Sequence, residues 1–190
     1  MTFSGVTVNE TKDSTGNYVM TGTTNGTLTI KRAQVTVKAN DAAKYHGEED
    51  PALTATVTGT LGGDTVDYTL SRAAGEDAGT YAITPSGAAT QGNYAVTFVP
   101  GVFTIYGAKG DWKDNKLIAT VTLPENANAL LIAASCDSTG RQVGIKVIEV
   151  ANGTTTYETG LTKTTGYTYK LMLVSKTTYA PLCKAWVWPE

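Results

Sequence analysis

The chain has 190 residues, a formal charge of −2 and 17% charged residues, too few and too balanced for the basic stripe that a nucleic acid or an anionic membrane surface requires. It has no apolar run long enough to span a bilayer as a helix, and the opening "MTFSGVTVNETKDSTG" lacks the basic and apolar regions of a secretion signal. With Thr, Gly, Val and Tyr abundant, one His and two Cys, the composition suits pleated strands joined by Gly turns, and the expected class is all-β.

Residues 16–30, "GNYVMTGTTNGTLTI", come first in chain order and are echoed by 92–105, "GNYAVTFVPGVFTI". Both hold Gly-Asn-Tyr, a Thr four residues after the Asn, and a closing Gly-x-x-Thr-Ile. The Asn17/Asn93 offset exceeds the Ile30/Ile105 offset by one residue, so the two copies differ by one loop residue. Residues 1–31 are therefore expected to be the C-terminal half of a repeat, followed by a complete copy over 32–107.

Within 32–107, apolar positions alternate in "QVTVKAN", "ALTATVTG", "VDYTLS", "TYAIT", "NYAVTFV" and "GVFTI". Gly- and Asp-rich turns separate them, which is the pattern of short strands in a sandwich or barrel. The step "GEDAGTYAI" reads as a corner formed by Asp77, Gly79 and Tyr81. The Tyr81 ring is expected to pack there and its hydroxyl to satisfy backbone, rather than to stack on a sugar or peptide. Asp77 is expected to tie down the turn through backbone N–H groups.

Asp50-Pro51-Ala52-Leu53, Gly63-Asp64, Arg72, Gly75-Glu76-Asp77-x-Gly79-x-Tyr81, Gly92-Asn93-Tyr94 and Phe103-Thr104-Ile105 together resemble the MBG-type repeat of bacterial surface proteins. The resemblance covers nearly all of 32–106. It departs from the family where Tyr-Gly usually precedes the Asp-Pro turn, since this chain has His46-Gly47 with Tyr45 one place early. The resemblance implies a small sandwich-like or β-grasp-like module of a large secreted, adhesin-like protein.

Residues 108–115 are charged and Gly-rich and are expected to be a linker. A second set of strand-length runs fills 116–190: "KLIATVTL", "NALLIAASC", "GRQVGIKVIEV", "TTTYETG", "GYTYKLMLVS" and "PLCKAWVW". Leu161 and Tyr167 in "GLTKTTGYTYKL" are spaced as in the corner of fibronectin type III modules, although Lys163 stands where that family usually has Pro. The resemblance implies an Ig-like β-sandwich. The segment "YKLMLVSKTTYAPLC" also resembles a module found at the C-terminus of clostridial surface proteins. Cys136 and Cys183 both fall here, as two half-buried thiols or, alternatively, a disulfide permitted by export.

No catalytic constellation can be assembled around His46, the single imidazole, and one His with two distant Cys cannot make a zinc site. Glu48, Glu49, Asp50, Asp64, Asp67, Glu76 and Asp77 lack calcium-loop spacing and read first as a solvated turn-forming edge, with calcium as the alternative. Lys38 and Lys146 are both read as pointing outward by strand alternation, away from any intramolecular amide cross-link. Trp112, Trp186 and Trp188 are read first as core or module-interface packing, with glycan stacking as the alternative.

The sequence thus points to a non-catalytic, cofactor-free module of a bacterial surface protein, adhesive or a spacer. Its expected location is extracellular. The expected partners are neighbouring repeats of the parent chain, together with host or dietary glycans or glycoproteins. Nucleic acid and membrane insertion are not expected. The alternative is an accessory glycan-binding module of a secreted carbohydrate-active enzyme.

Overall fold

A computed structural model describes residues 8–12, 18–23 and 30–189, and all regular structure among them is β. The chain divides into two compact units, Met1–Ala33 and Gln34–Glu190. In the first, β1 (Val8–Lys12) pairs antiparallel with β2 (Tyr18–Thr23), from Lys12↔Tyr18 outward. Apart from residues 30 and 31, the rest of the expected half repeat lies outside the described residues.

The second unit begins with β3 (Ala33–Ala39), β4 (Ala42–Tyr45), β5 (Ala55–Thr58), β6 (Thr69–Arg72), β7 (Gly79–Ser86), β8 (Thr90–Gln91) and β9 (Tyr94–Val99). One sheet has the order β5-β3-β9-β8. Strand alternation turns Val35, Val37 and Ala39 of β3 inward while Lys38 faces water. Ile83 of β7 with Phe103 and Ile105 of the next strand close a small core around Ala39. The internal echo is structural as well, because β2 and β9 both start at the Tyr of Gly-Asn-Tyr.

The next strand, β10 (Gly101–Lys113), is 13 residues long and serves both halves of the unit. Its first part pairs antiparallel with β7, from Gly101↔Ile83 to Ile105↔Gly79. Phe103–Tyr106 pair in parallel with β4. From Gly107 to Lys113 it pairs antiparallel with β11 (Lys116–Leu123).

Residues 108–115, expected to be a linker, are thus strand through Lys113 and then a two-residue turn. Asp114 (φ 49) and Asn115 (φ 63) both take the left-handed conformation. Such hairpin turns demand it, and short polar side chains tolerate it.

The remainder comprises β12 (Ala129–Cys136), β13 (Gln142–Glu149), β14 (Gly153–Thr162), β15 (Thr168–Ser175) and β16 (Trp186–Trp188). One sheet carries β14-β11-β10 and the other β13-β12-β15-β16. Leu117, Ala119, Val121, Leu131, Ala133, Tyr169, Leu171 and Leu173 fill the core between them. The fold is all-β, in tandem sandwich-like domains, with no helix among the described residues.

Candidate functional site

The most concentrated chemistry is a four-residue ion network at the turn end of the first sandwich. Lys44 alternates with exposed Ala43 on β4, so its side chain is carried inward and is only 4% exposed. Its Nζ lies 2.6 Å from Asp50 Oδ1 and 2.5 Å from Glu76 Oε2.

Arg72, at the end of β6, completes the quartet. Its Nε donates to Asp50 Oδ2 at 2.5 Å, and its Nη2 donates to Asp50 Oδ1 at 3.2 Å and to Glu76 Oε1. Its Nη1 donates to the carbonyls of Ala73 (2.9 Å) and Gly75 (2.7 Å). All five guanidinium N–H groups therefore have an acceptor. The planar cation also lies over the Phe103 ring (4.9 Å) and the Tyr81 ring (5.7 Å).

Two cations thus face two anions, and the titration shifts follow. Hydrogen bonds from Arg72 and then Lys44 hold the Asp50 carboxyl down at about 2. Those from Lys44 and Arg72 lower Glu76 as well. Burial pulls Lys44 down, but its hydrogen bonds to Asp50 and Glu76 outweigh that, and the net direction is up. Amide formation between Lys44 and Asp50 would consume a neutral amine and a neutral carboxyl, and both shifts run the other way. The quartet is built to stay ionised.

Tyr81 stands beside this network. Its hydroxyl donates to the Asp77 carbonyl at 2.7 Å. Gly75, at φ +141, lies so close under the ring that a β-carbon there would sit 2.3 Å from Tyr81 Cε1. The Asp77 carboxylate, expected on backbone N–H groups, instead pairs with Lys109 Nζ at 2.9 Å. A second tie joins turn and strand: the Tyr94 hydroxyl donates to Asp64 Oδ2 at 2.7 Å and accepts from the Leu61 N–H at 3.1 Å.

In the C-terminal sandwich the corner residue is Tyr169, not Tyr167. Tyr169 is fully buried, donates its hydroxyl proton to the Thr162 carbonyl (2.7 Å) and accepts from the Thr164 N–H (2.7 Å). Tyr167 stands two residues earlier, its N–H bonded to the Thr164 carbonyl, and with Leu161 packs at the edge of the core. Both tyrosines reach the same core, so spacing from Leu161 does not separate them.

Trp112, Trp186 and Trp188 pack against the core and form no exposed planar row. Trp112 meets Tyr169 edge-on at 4.8 Å and Trp188 at 5.2 Å. Trp186 lies across Gly110, where a β-carbon would fall 2.4 Å from the ring.

Of the two alternatives for the cysteines, the disulfide is not formed: Cys136 and Cys183 are both free thiols. Alternation along β12 sends Cys136 to the face opposite Leu131 and Ala133, while Cys183 packs against the core. The expectation for Lys146 is corrected, because it does not face away from the core. It pairs with fully buried Ala133, while Ile145 and Val147 face water, and β13 is an edge strand from which a long stem reaches solvent. A bulge between Gln142 and Gly144 shifts the face beyond it.

Among the described residues no three His, Cys, Asp or Glu side chains converge as metal ligands. Asp50 and Glu76 pair with Lys44 and Arg72, Asp77 with Lys109, and Asp64 with the Tyr94 hydroxyl. The sequence pattern does not single out Lys44. Its one signal is a charged residue at the inward-facing step of "AAKY".

Residues 35–104 match the sequence profile of the MBG domain (YGX type). No protein of curated function matches the chain. The marks shared with MBG repeats now have physical roles. Asp50, Arg72 and Glu76 form the ion network, Gly75 and Tyr81 the corner, and Asp64 and Tyr94 the second tie. In this MBG-like segment the motif residues hold the turns to the sheet.

Proposed function

We propose that residues 34–190 are a stiff, non-catalytic spacer from a bacterial surface protein, carried outside the cell with its neighbouring repeats. The observation that carries the reading is β10, one unbroken strand hydrogen-bonded to β7 and β4 in the MBG-like half and to β11 in the C-terminal half. Two sandwiches sharing a strand cannot swing about a flexible linker, because bending would break ladder hydrogen bonds. The match of residues 35–104 to the MBG domain and the echo in residues 16–30 support a place in a repeat array, where stability sums over modules and their interfaces. No helix among the described residues is long and apolar enough to cross a membrane.

The test is ¹⁵N relaxation on residues 34–190. One rotational correlation time for both halves is expected, and two independent tumbling times would overturn the spacer reading. Turnover on a polysaccharide panel would overturn its non-catalytic part.

A further inference from the structure

We propose that a cleft in the C-terminal sandwich, between the loop 163–168 and Trp188, binds a carboxylate-bearing sugar such as a uronic or sialic acid. This goes beyond the spacer reading, which requires no ligand. The cleft encloses about 460 Å³ and is lined by Asn115, Lys163, Thr164, Thr165, Tyr167 and Trp188 among others. That volume falls within the range of small-molecule binding clefts.

Its wall is fixed before any ligand arrives. Trp188 is wedged against Trp112 (5.2 Å, 65°) and Tyr169 (5.9 Å, 51°), and the Tyr169 hydroxyl is held by Thr162 and Thr164. The loop is anchored to the β10–β11 turn, since the Lys163 N–H donates to the Asn115 carbonyl at 2.8 Å and Asn115 Nδ2 donates to the Lys163 carbonyl at 3.3 Å. A preorganised aromatic wall costs a ligand little ordering.

The chemistry follows from Lys163. Its ammonium lies 4.7 Å from the Trp188 ring centre and 5.6 Å from that of Trp112, and no carboxylate among the described residues pairs with it. The hydroxyls of a neutral sugar offer this cation only neutral acceptors, whereas a carboxylate supplies a charge-assisted partner that binds it about twice as strongly. The hydroxyls of Thr164, Thr165 and Thr168 line the same cleft and offer donors and acceptors to ring hydroxyls, with the indole beside them. A single cation beside hydroxyls and an aromatic wall suits a monoanionic sugar better than a phosphate-rich polymer, which recruits clustered cations.

The test is titration of the chain, followed by tryptophan fluorescence and by the indole N–H signals, with oligogalacturonate, a neutral oligosaccharide of equal length, sialyllactose and a short polyglutamate peptide. Saturable binding of one or both acidic sugars is expected, with the neutral sugar and the peptide weaker by about tenfold or more. Lys163→Gln should remove the preference for the acidic sugar while the melting temperature falls by no more than a few degrees, the loss of its contacts with the Trp188 and Trp112 rings, and Thr165→Ala should weaken binding of that sugar. Equal binding of acidic and neutral sugars, tight binding of the peptide, an unaffected Lys163→Gln variant or no saturable response would each overturn the proposal. None of these results bears on the relaxation test of the spacer.

Discussion

His46 and Lys184, 138 positions apart, hold each other by backbone and ring together. The Lys184 N–H donates to the His46 carbonyl at 3.0 Å, and His46 Nδ1 donates to the Lys184 carbonyl at 2.9 Å. A carbonyl only accepts, so this contact places the proton on Nδ1. The His46 N–H in turn donates to the Tyr106 carbonyl at 2.8 Å, at the middle of β10. The single imidazole of the chain braces the MBG-like half against the C-terminal segment where the two share a strand. Gly47 makes the brace close. It takes φ +91, and a β-carbon there would fall 2.7 Å from Lys184 Cβ. Gly47→Ala should therefore lower stability by about 1 kcal/mol or more in urea denaturation. An unchanged midpoint would mean that the brace contributes nothing.

The ion quartet makes a sharper prediction. Arg72 is 12% exposed on its side chain and uses every donor it has. Arg72→Lys keeps the charge but loses the two-pronged grip on Asp50 and the bonds to Ala73 and Gly75, and should cost about 2–3 kcal/mol. A double-mutant cycle between Arg72→Ala and Asp50→Ala should show coupling of about 1 kcal/mol or more, because each deletion leaves the other charge short of a partner. Additive effects would show that the two act independently.

The pH dependence follows from the same four groups. Asp50 and Glu76 have lowered folded-state pKa values, so their contribution is present above the ordinary carboxylate range. It is lost as pH falls, and for Asp50 the loss runs to about 2. Lys44 is raised, so its contribution is present below the ordinary lysine pKa and is lost as pH rises through its elevated value. Thermal melts should stay level through neutrality and fall steeply below about pH 4. In Asp50→Asn the acid limb should be shallower. An identical acid limb in that variant would assign acid unfolding to other groups.

Much of this architecture is legible in the amino-acid sequence. Alternation along "QVTVKAN" gives the buried Val35 and Val37 and the exposed Lys38, and the spacing of Asp77, Gly79 and Tyr81 gives the first corner. Lys44 is not legible, because its partners Asp50 and Glu76 meet it only through the pairing of β4 with β10 and the turn after β6. Nor is the junction. "AKGDWKDN" has the composition of a linker, and the Asp114-Asn115 turn takes its meaning only from the pairing of β10 with β11. Lys146 escapes the alternation rule because an edge strand lets a charged residue sit on the core side of a sheet.

The corner tyrosines separate cleanly by single-atom substitution. Tyr81→Phe removes one hydroxyl bond, to the Asp77 carbonyl, and should cost about 1 kcal/mol. Tyr169→Phe removes two from a fully buried ring and leaves the Thr162 carbonyl and Thr164 N–H without that partner, so about 2 kcal/mol is expected. Tyr167→Phe should change stability by less than about 0.5 kcal/mol. Chemical denaturation of the three variants checks the order, and a Tyr167 loss equal to that of Tyr169 would contradict the assigned corner.

The two thiols should differ in reactivity. Burial first, and then the charge of Glu48, pushes Cys183 up to about 11, so at pH 8 only about one molecule in a thousand carries the thiolate there. Cys136 ends β12, half-buried, against Thr168 of β15. Iodoacetamide on the native chain at pH 8, without reductant, should label Cys136 and leave Cys183 almost untouched. Both should react after denaturation. The elevated Cys183 value has a second consequence with a definite sign: the neutral thiol favours the folded state. Its contribution is present below the ordinary thiol pKa and is lost as pH rises toward about 11. Labelling of Cys183 should therefore accelerate above pH 9 faster than thiolate formation alone requires, as local opening adds to ionisation. Absence of label at both positions in the denatured chain would mean a disulfide and overturn the free-thiol assignment, while equal native rates would overturn the burial argument for Cys183.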